Sequence, residues 1–296
     1  MTDAAVPAGA APRRPGRGER VTGLMLVALP VAMVMTMIVW PIGLAILDTL
    51  WLDTPEGARF SIASYRFFFT DAYSLGNLWI TIWTTAVSTA ILMTIAVPLS
   101  IYLRFRTGRA AAVVQALAIF PLFVPSIILA YAFVRVLGPN GMVDIILANV
   151  GLPRMRSPYL TVWGPVIGFV WDNLPLTVVI LLAGLSGVSS QAVEAARDVG
   201  AGRLAVLRHI ILPRIAPSIL VAASFVVLGL FSAFTFPYLL GPAAPEMMGP
   251  FMQRTFGDVL DPVQARTQAV VTFLFCAVFG WFYVRSIAAN RRRGAG

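Results

Sequence analysis

The sequence predicts an all-α, polytopic membrane protein with six transmembrane helices, and three observations carry that expectation. Hydrophobic residues fill 58% of the 296 positions and charged residues only 12%, against roughly a quarter charged in soluble domains. Four runs, 77–103, 110–134, 215–240 and 267–284, hold no charge over 18 or more residues, enough for a helix to cross a hydrocarbon core of about 30 Å. The arginines, which are all 22 of the basic residues, cluster in alternate segments between the apolar runs.

Composition also excludes several chemistries. The single cysteine, Cys276, lies inside an apolar run, so neither a disulfide framework nor a cysteine metal site can be built. The lone His209 has no second histidine to share a metal with, and reads as a surface residue on a short helix. A net charge of +9 would point to nucleic acid in a soluble protein; here the placement of the charges matters more than their sum, and membrane lipid, not nucleic acid, is the expected surrounding.

Residues 1–20 are rich in Ala, Pro, Gly and Arg, without apolar periodicity, and predict a disordered tail. The membrane domain then covers 21–290, and 291–296 form a basic tail. The run 21–47 exceeds a signal-peptide core and lacks a small-residue cleavage site, which predicts a retained first span. The spans at 77–103 and 110–134 flank a short turn at 104–109. Run 159–185 is long enough to cross although it carries Asp172, and 215–240 and 267–284 complete the six. With both termini in the cytoplasm, fifteen arginines fall on the inner side and seven on the outer, the sense of the positive-inside rule. Segments 48–76, 138–158 and 241–266 become outer loops open to a partner. Prolines 98, 121, 125, 165, 175, 217 and 237 each remove a helix hydrogen bond and favour kinks.

The polar island at 190–213 stands apart. Residues 191–198 are strong helix formers with Ser190 as the expected N-cap, though Val193 cannot complete a capping box. Glu194 and Asp198 lie four apart on one face, a like-charge pair that Arg197 only partly offsets. Gly200 suits a left-handed turn after this helix. A second helix follows at 203–211, with Leu204, Leu207 and Ile211 on one face, and Pro213 is expected to stop it before the fifth span.

In order, Glu194-Ala195-Ala196, Gly200, Ile210 and Leu212-Pro213 match every fixed position of the EAA signature, Glu-Ala-Ala-x3-Gly-x9-Ile-x-Leu-Pro. The chain therefore resembles the permease subunits of type I, binding-protein-dependent ABC importers, and 77 to the C-terminus shares their MetI-like layout. That resemblance implies a coupling loop at 190–213 seated in a groove of a cytosolic ATPase dimer, with Glu194, Ala195, Ala196, Arg197, Asp198, Gly200, Ile210, Leu212 and Pro213 as the contact. It also implies a second permease subunit, a paralogue or a second copy, an external substrate-binding protein, and residence in a bacterial plasma membrane. The chain has no lysine and so no Gly-x4-Gly-Lys-Ser/Thr phosphate loop. It binds no cofactor directly, is not an enzyme itself, and leaves ATP-Mg to the partner ATPase.

For the solute path the sequence offers Trp171, Asp172 and Asn173, since an acid within a span usually faces a bundle interior or a water-filled cavity. Asp172 could equally cap a helix broken near Pro175 or pair with Arg135. Segments 171–185 and 236–241 resemble the spermidine and putrescine group, whose cationic solutes an acidic path suits. Opines, aminophosphonates, ferric iron and sugars are the alternatives. A secondary transporter would show ionisable residues in several spans, and here one qualifies. A membrane enzyme would need a catalytic constellation at one depth, which one Cys, one His and one Asp in separate segments do not make.

Overall fold

The computed structural model describes residues 17–54 and 57–293, and among them the regular elements are helices apart from one hairpin. Six helical stretches are long and apolar enough to cross a membrane: Met25–Leu50, Ala72–Phe105, Ser126–Asn149, Trp163–Leu185, Arg203–Phe231 and Pro262–Arg285. The chain divides into a unit at Met1–Ser61 and a larger unit at Ile62–Gly296.

In the first unit α1 (Arg17–Val34) runs through a five-residue π turn (Met35–Val39) into α2 (Trp40–Leu50). The helix begins four residues inside the expected tail, and the remainder of that tail, 1–16, lies outside the described residues. The π turn has a local cause. Pro41 follows it, with no N–H to donate and a ring that crowds the carbonyl four residues earlier. The Trp40 N–H reaches back five residues to Met35, a wider turn that gives the ring room. The expected loop after this span opens as an antiparallel hairpin, β1 (Trp51–Thr54) and β2 (Gly57–Phe60), paired Trp51 to Phe60 and Thr54 to Gly57.

The second unit starts with α3 (Ala63–Thr70), and α4 (Ala72–Phe105) follows at once, capped by Asp71. The Asp71 carboxylate accepts the Ser74 hydroxyl at 2.7 Å and the Ser74 N–H at 2.8 Å; both bonds hold its pKa below the ordinary carboxylate value. The expected single span at 110–134 is two helices, α5 (Arg109–Ile119) and α6 (Ser126–Leu137), with a 3-10 turn at Phe120–Phe123 and extended backbone at Val124 between them. Pro121 and Pro125, four apart, remove two successive helix bonds, and the residue before Pro125 is pushed out of the helical region. A short α7 (Met142–Asn149) occupies the expected loop 138–158, and α8 (Trp163–Leu185) passes unbroken through Pro175.

After the polar island, α11 (Leu212–Phe231) also ends early. The chain leaves the helix at Ser232–Phe234 and resumes as α12 (Thr235–Leu240), so the expected span 215–240 is likewise broken. Pro237 sits in the first turn of α12, where no intrahelical bond is required of its nitrogen. The expected loop 241–266 contains α13 (Met248–Gly257), and α14 (Pro262–Arg293) finishes the described chain, taking in the arginines of the expected basic tail; 294–296 lie outside the described residues.

Packing in a membrane rests on close contact, not on expulsion of water, and glycines mark where backbones meet. A Cβ on Gly164 would run into the Leu240 carbonyl, and one on Gly168 into the Phe236 ring. The Gly164-x3-Gly168 spacing thus receives α12 of the same chain, and Leu160 N–H bonds the Leu240 carbonyl at 2.9 Å. Around this contact Phe169, Val178, Leu181, Val226, Leu230 and Phe236 form the central core. A second cluster joins Phe68, Phe231, Met248, Phe251 and Val271, with Phe231 stacked on Phe275 at 5.5 Å. Polar bonds pin α13 to α4: Asn77 Oδ1 accepts the Glu246 N–H and Thr81 Oγ1 the Met248 N–H, both at 2.9 Å. Arg254 donates to Glu246 at 2.6 Å and to Tyr73 at 2.8 Å. Burial draws the guanidinium pKa down, but the Glu246 bond and charge, with Tyr73 and Asp258, outweigh it and leave it raised.

Candidate coupling hinge and solute path

The hinge begins where α8 ends. The C-terminal carbonyls of α8 carry negative partial charge, and Arg104, at the end of α4, donates its Nε–H to the Leu185 carbonyl at 3.2 Å. Sequence reasoning counted Arg104 only as an inner positive charge; its place four residues beyond Ser100 on a buried helix face was the signal available. Next comes α9 (Ser190–Asp198). Its N-cap is Ser189, not Ser190: the Ser189 hydroxyl accepts the Ala192 N–H at 3.4 Å. With Val188 buried just before the cap and Val193 buried just inside, the chain enters the helix with two side chains seated on one core, and this fixes the cap one residue earlier.

The end of α9 is a Schellman turn. Gly200 has φ +87°, its N–H reaches the Arg197 carbonyl at 2.9 Å, and the Ala201 N–H reaches the Ala196 carbonyl at 2.9 Å. These are the two bonds that define the motif, and the residue pair they join, Ala196 and Ala201, packs against the same apolar cluster. Nothing lies within 4 Å of where a Gly200 Cβ would stand, so conformation and not crowding calls for glycine.

The next segment departs from expectation. Pro213 does not stop a second helix: α10 (Arg203–Val206), a π turn (Leu207–Ile211) and α11 form one stretch running to Phe231. The Leu212 N–H bonds the Leu207 carbonyl, five residues back, and the wide turn accommodates the Pro213 ring as its counterpart does before Pro41. The second helix of the polar island and the fifth span are therefore one rod. Leu204 is not on the packed face either. It is 76% exposed, and Val206 and Ile211 are buried in the cluster instead.

Nine expected contact residues thus separate into two faces. Ala196, Ile210 and Leu212 pack against the cluster of Leu185, Val188, Val193, Val206, Ile211 and Ile215, which fastens the hinge to its own spans. Glu194, Ala195, Arg197, Asp198, Gly200 and Pro213 are exposed. Val199, at 85%, and Leu204 are exposed as well, and the Glu194 and Asp198 carboxylates make no hydrogen bond or ion pair among the described residues.

At the other candidate site Asp172 neither caps a break at Pro175 nor pairs with Arg135. Its Oδ1 accepts the Ser126 hydroxyl at 2.9 Å, in the first turn of α6, so the carboxylate meets the helix end that the Pro125 break creates. Asn173 turns back on its own helix, donating to the Phe169 carbonyl at 3.0 Å. Trp171 is half-exposed, edge-on to Phe133 at 6.3 Å, and lines an apolar hollow of roughly 240 Å³ with Leu99, Leu117, Pro121 and Leu174. The three residues are neighbours in sequence, but only Trp171 and Asp172 look away from their own helix. No group of three or more metal-ligating side chains occurs among the described residues.

Comparison with known proteins places this arrangement. The family model described as "Binding-protein-dependent transport system inner membrane component" matches residues 96–292. The trehalose transport system permease protein SugA of Mycobacterium tuberculosis is 32% identical over 236 residues, covering 75% of this chain and 73% of that protein. The spermidine/putrescine transport system permease protein PotB of Escherichia coli is 26% identical over 180 residues, 60% of this chain and 65% of its own. Among solved structures, a bacterial ABC transporter involved in the import of the acidic polysaccharide alginate aligns with a TM-score of 0.74 at 17% identity over 93% of this chain and 96% of that one. The MetNI methionine ABC transporter aligns at 0.55 and 18% identity, over 78% and 99%. The chain is a multi-pass membrane protein of the binding-protein-dependent transport system inner membrane component family, the permease subunits of ABC importers, in which ATP hydrolysis belongs to a separate subunit.

Proposed function

We propose that this permease takes its drive through the exposed face of the 190–213 loop, which docks on a cytosolic ATPase dimer, and that both termini lie in the cytoplasm. The carrying observation is the division of the loop into a face fastened to its own spans and an exposed face, joined by the Gly200 turn. A partner moving the exposed face acts on α11 through the Gly200 turn and the shared apolar cluster, and from Arg203 no break interrupts the helix before Phe231. A second permease subunit and an external binding protein complete the importer, and ATP-Mg acts in the ATPase alone. The expected solute is a small polar organic molecule. A disaccharide is the first to test, since the relative at 32% identity serves trehalose transport. A polyamine is the second, supported by Asp172 and by the spermidine/putrescine relatives. Stimulation of ATP hydrolysis in nanodiscs by binding proteins loaded with trehalose or spermidine separates the two. If neither loaded protein stimulates, both solutes are excluded.

A further inference from the structure

A small polar hollow sits at the C-terminal end of the third apolar stretch, Ser126–Asn149. The α6 helix closes at Leu137, Asn140 turns the chain with φ +55°, and α7 follows. That helix ends in a Schellman turn of its own: Gly151 has φ +72°, and the Leu152 N–H returns to the Leu147 carbonyl at 2.9 Å. The turn folds the chain back on the helix, so that the Met155 N–H meets Asp144 Oδ1 and Arg154 Nη1 meets Asn140 Oδ1, each at 3.2 Å. The result is a ring of Asn140, Asp144, Asn149 and Arg154 around roughly 150 Å³, with the aliphatic parts of Ile145 and Ala148 as its floor. Both contacts leave capacity over: the guanidinium has four further N–H groups, and the carboxylate a second oxygen.

We infer that this hollow holds the headgroup of a zwitterionic phospholipid, phosphoethanolamine, with Arg154 on the phosphate and Asp144 on the ammonium. Three features choose this occupant. One cation and one anion on the wall of one hollow complement a zwitterion and disfavour a simple anion or cation. The volume falls below that of pockets for drug-sized molecules, so a headgroup fits and a disaccharide does not. Around the rim Met142, Ile146, Val150 and Leu152 are each more than half exposed, an apolar skirt at the end of the stretch, where acyl chains lie.

The test uses the full chain in nanodiscs of mixed phosphatidylethanolamine and phosphatidylglycerol, released into detergent and weighed by native mass spectrometry. The wild type retains phosphatidylethanolamine over phosphatidylglycerol. Arg154→Gln lowers retention of both lipids about tenfold, the scale of one charge-assisted bond. Asp144→Asn keeps total retention and erases the preference. Melting temperatures within a degree or so of wild type separate these effects from misfolding; an Asn140→Ala variant, which leaves both charges in place, provides a second reading with a smaller loss. Equal retention by all variants overturns the inference. So does phosphoethanolamine without acyl chains binding as tightly as the lipid, which assigns the hollow to a soluble solute. Cross-linking of Asn149→Cys to a second copy or to a binding protein at high yield overturns it as well.

Discussion

At the scale of single residues, Gly200 illustrates what a signature position does physically. Glycine adopts φ +87° at no steric cost, whereas alanine there pays about 1 kcal/mol. Gly200→Ala should therefore lower stability by about 1 kcal/mol while Gly200→Asn, a residue that tolerates the left-handed region, should lower it less, a contrast that thermal melting of the two variants checks. Asp71 gives a pH-dependent counterpart. Its folded-state pKa is depressed, so its stabilisation is complete above the ordinary carboxylate value and is lost as pH falls through the lower folded value. Asp71→Ala should cost about 1 kcal/mol at neutral pH and progressively less in acid; Asp71→Asn, which also caps, should show a flatter profile. Melting temperatures from pH 7 to pH 3 read both.

The seven signature positions were legible because the chemistry is local: a helix, a left-handed turn and a proline at fixed separations. The cap was misplaced by one residue because two adjacent serines offer the same oxygen, and burial of Val188 and Val193 chooses between them. Asp172 was legible as a costly charge but its partner was not. Ser126 lies 46 residues away, and only the break at Pro125 brings the end of α6 to it.

At the scale of elements, charge-free runs located the second, fifth and sixth spans. The third apolar stretch, Ser126–Asn149, lies further along than the expected 110–134 and takes in Arg135 and Asp144; of the prolines, only some mark interruptions. Pro98, Pro175 and Pro217 lie inside unbroken helices. The π turns before Pro41 and Pro213 show how a helix continues past a proline by widening one turn. The break at Ser232–Phe234 lies where Pro237 would crowd the Ala233 carbonyl in a continuous helix, and on either side of it α12 packs into the two glycines of α8 while Gly249 of α13 lies against Ala233. The sequence could show Pro237, Gly164 and Gly168, not what the glycines receive. The short α13 did leave a signal, with Met248, Phe251, Met252 and Thr255 at helical spacing. Gly164→Ala tests the α12 contact: the added methyl meets a backbone carbonyl that cannot swing aside, and a loss of about 1–3 kcal/mol is expected in thermal melting. A variant as stable as wild type would mean that α12 is free to move away.

At the scale of the whole molecule, the continuous stretch Arg203–Phe231 joins the polar island to the helix break nearest the glycine contact. On the proposed function, a displacement at the exposed face of α9 passes through the Gly200 turn and the shared apolar cluster to the Arg203–Phe231 stretch. It then crosses the break at Ser232–Phe234 to α12, and passes through Gly164 and Gly168 to α8, the helix that bears Trp171 and Asp172. Arg104 closes the circuit on the other side by tying α4 to the last turn of α8. On the same proposal drive and cargo are separate: the exposed face couples ATP hydrolysis to movement, while the solute is chosen elsewhere. The most direct measurement is solute uptake and ATP hydrolysis side by side, in proteoliposomes holding the assembled importer with Glu194→Arg or Gly200→Pro. The account predicts that both variants reach the membrane folded and lose uptake together with binding-protein-stimulated hydrolysis. Wild-type uptake in both variants would contradict it.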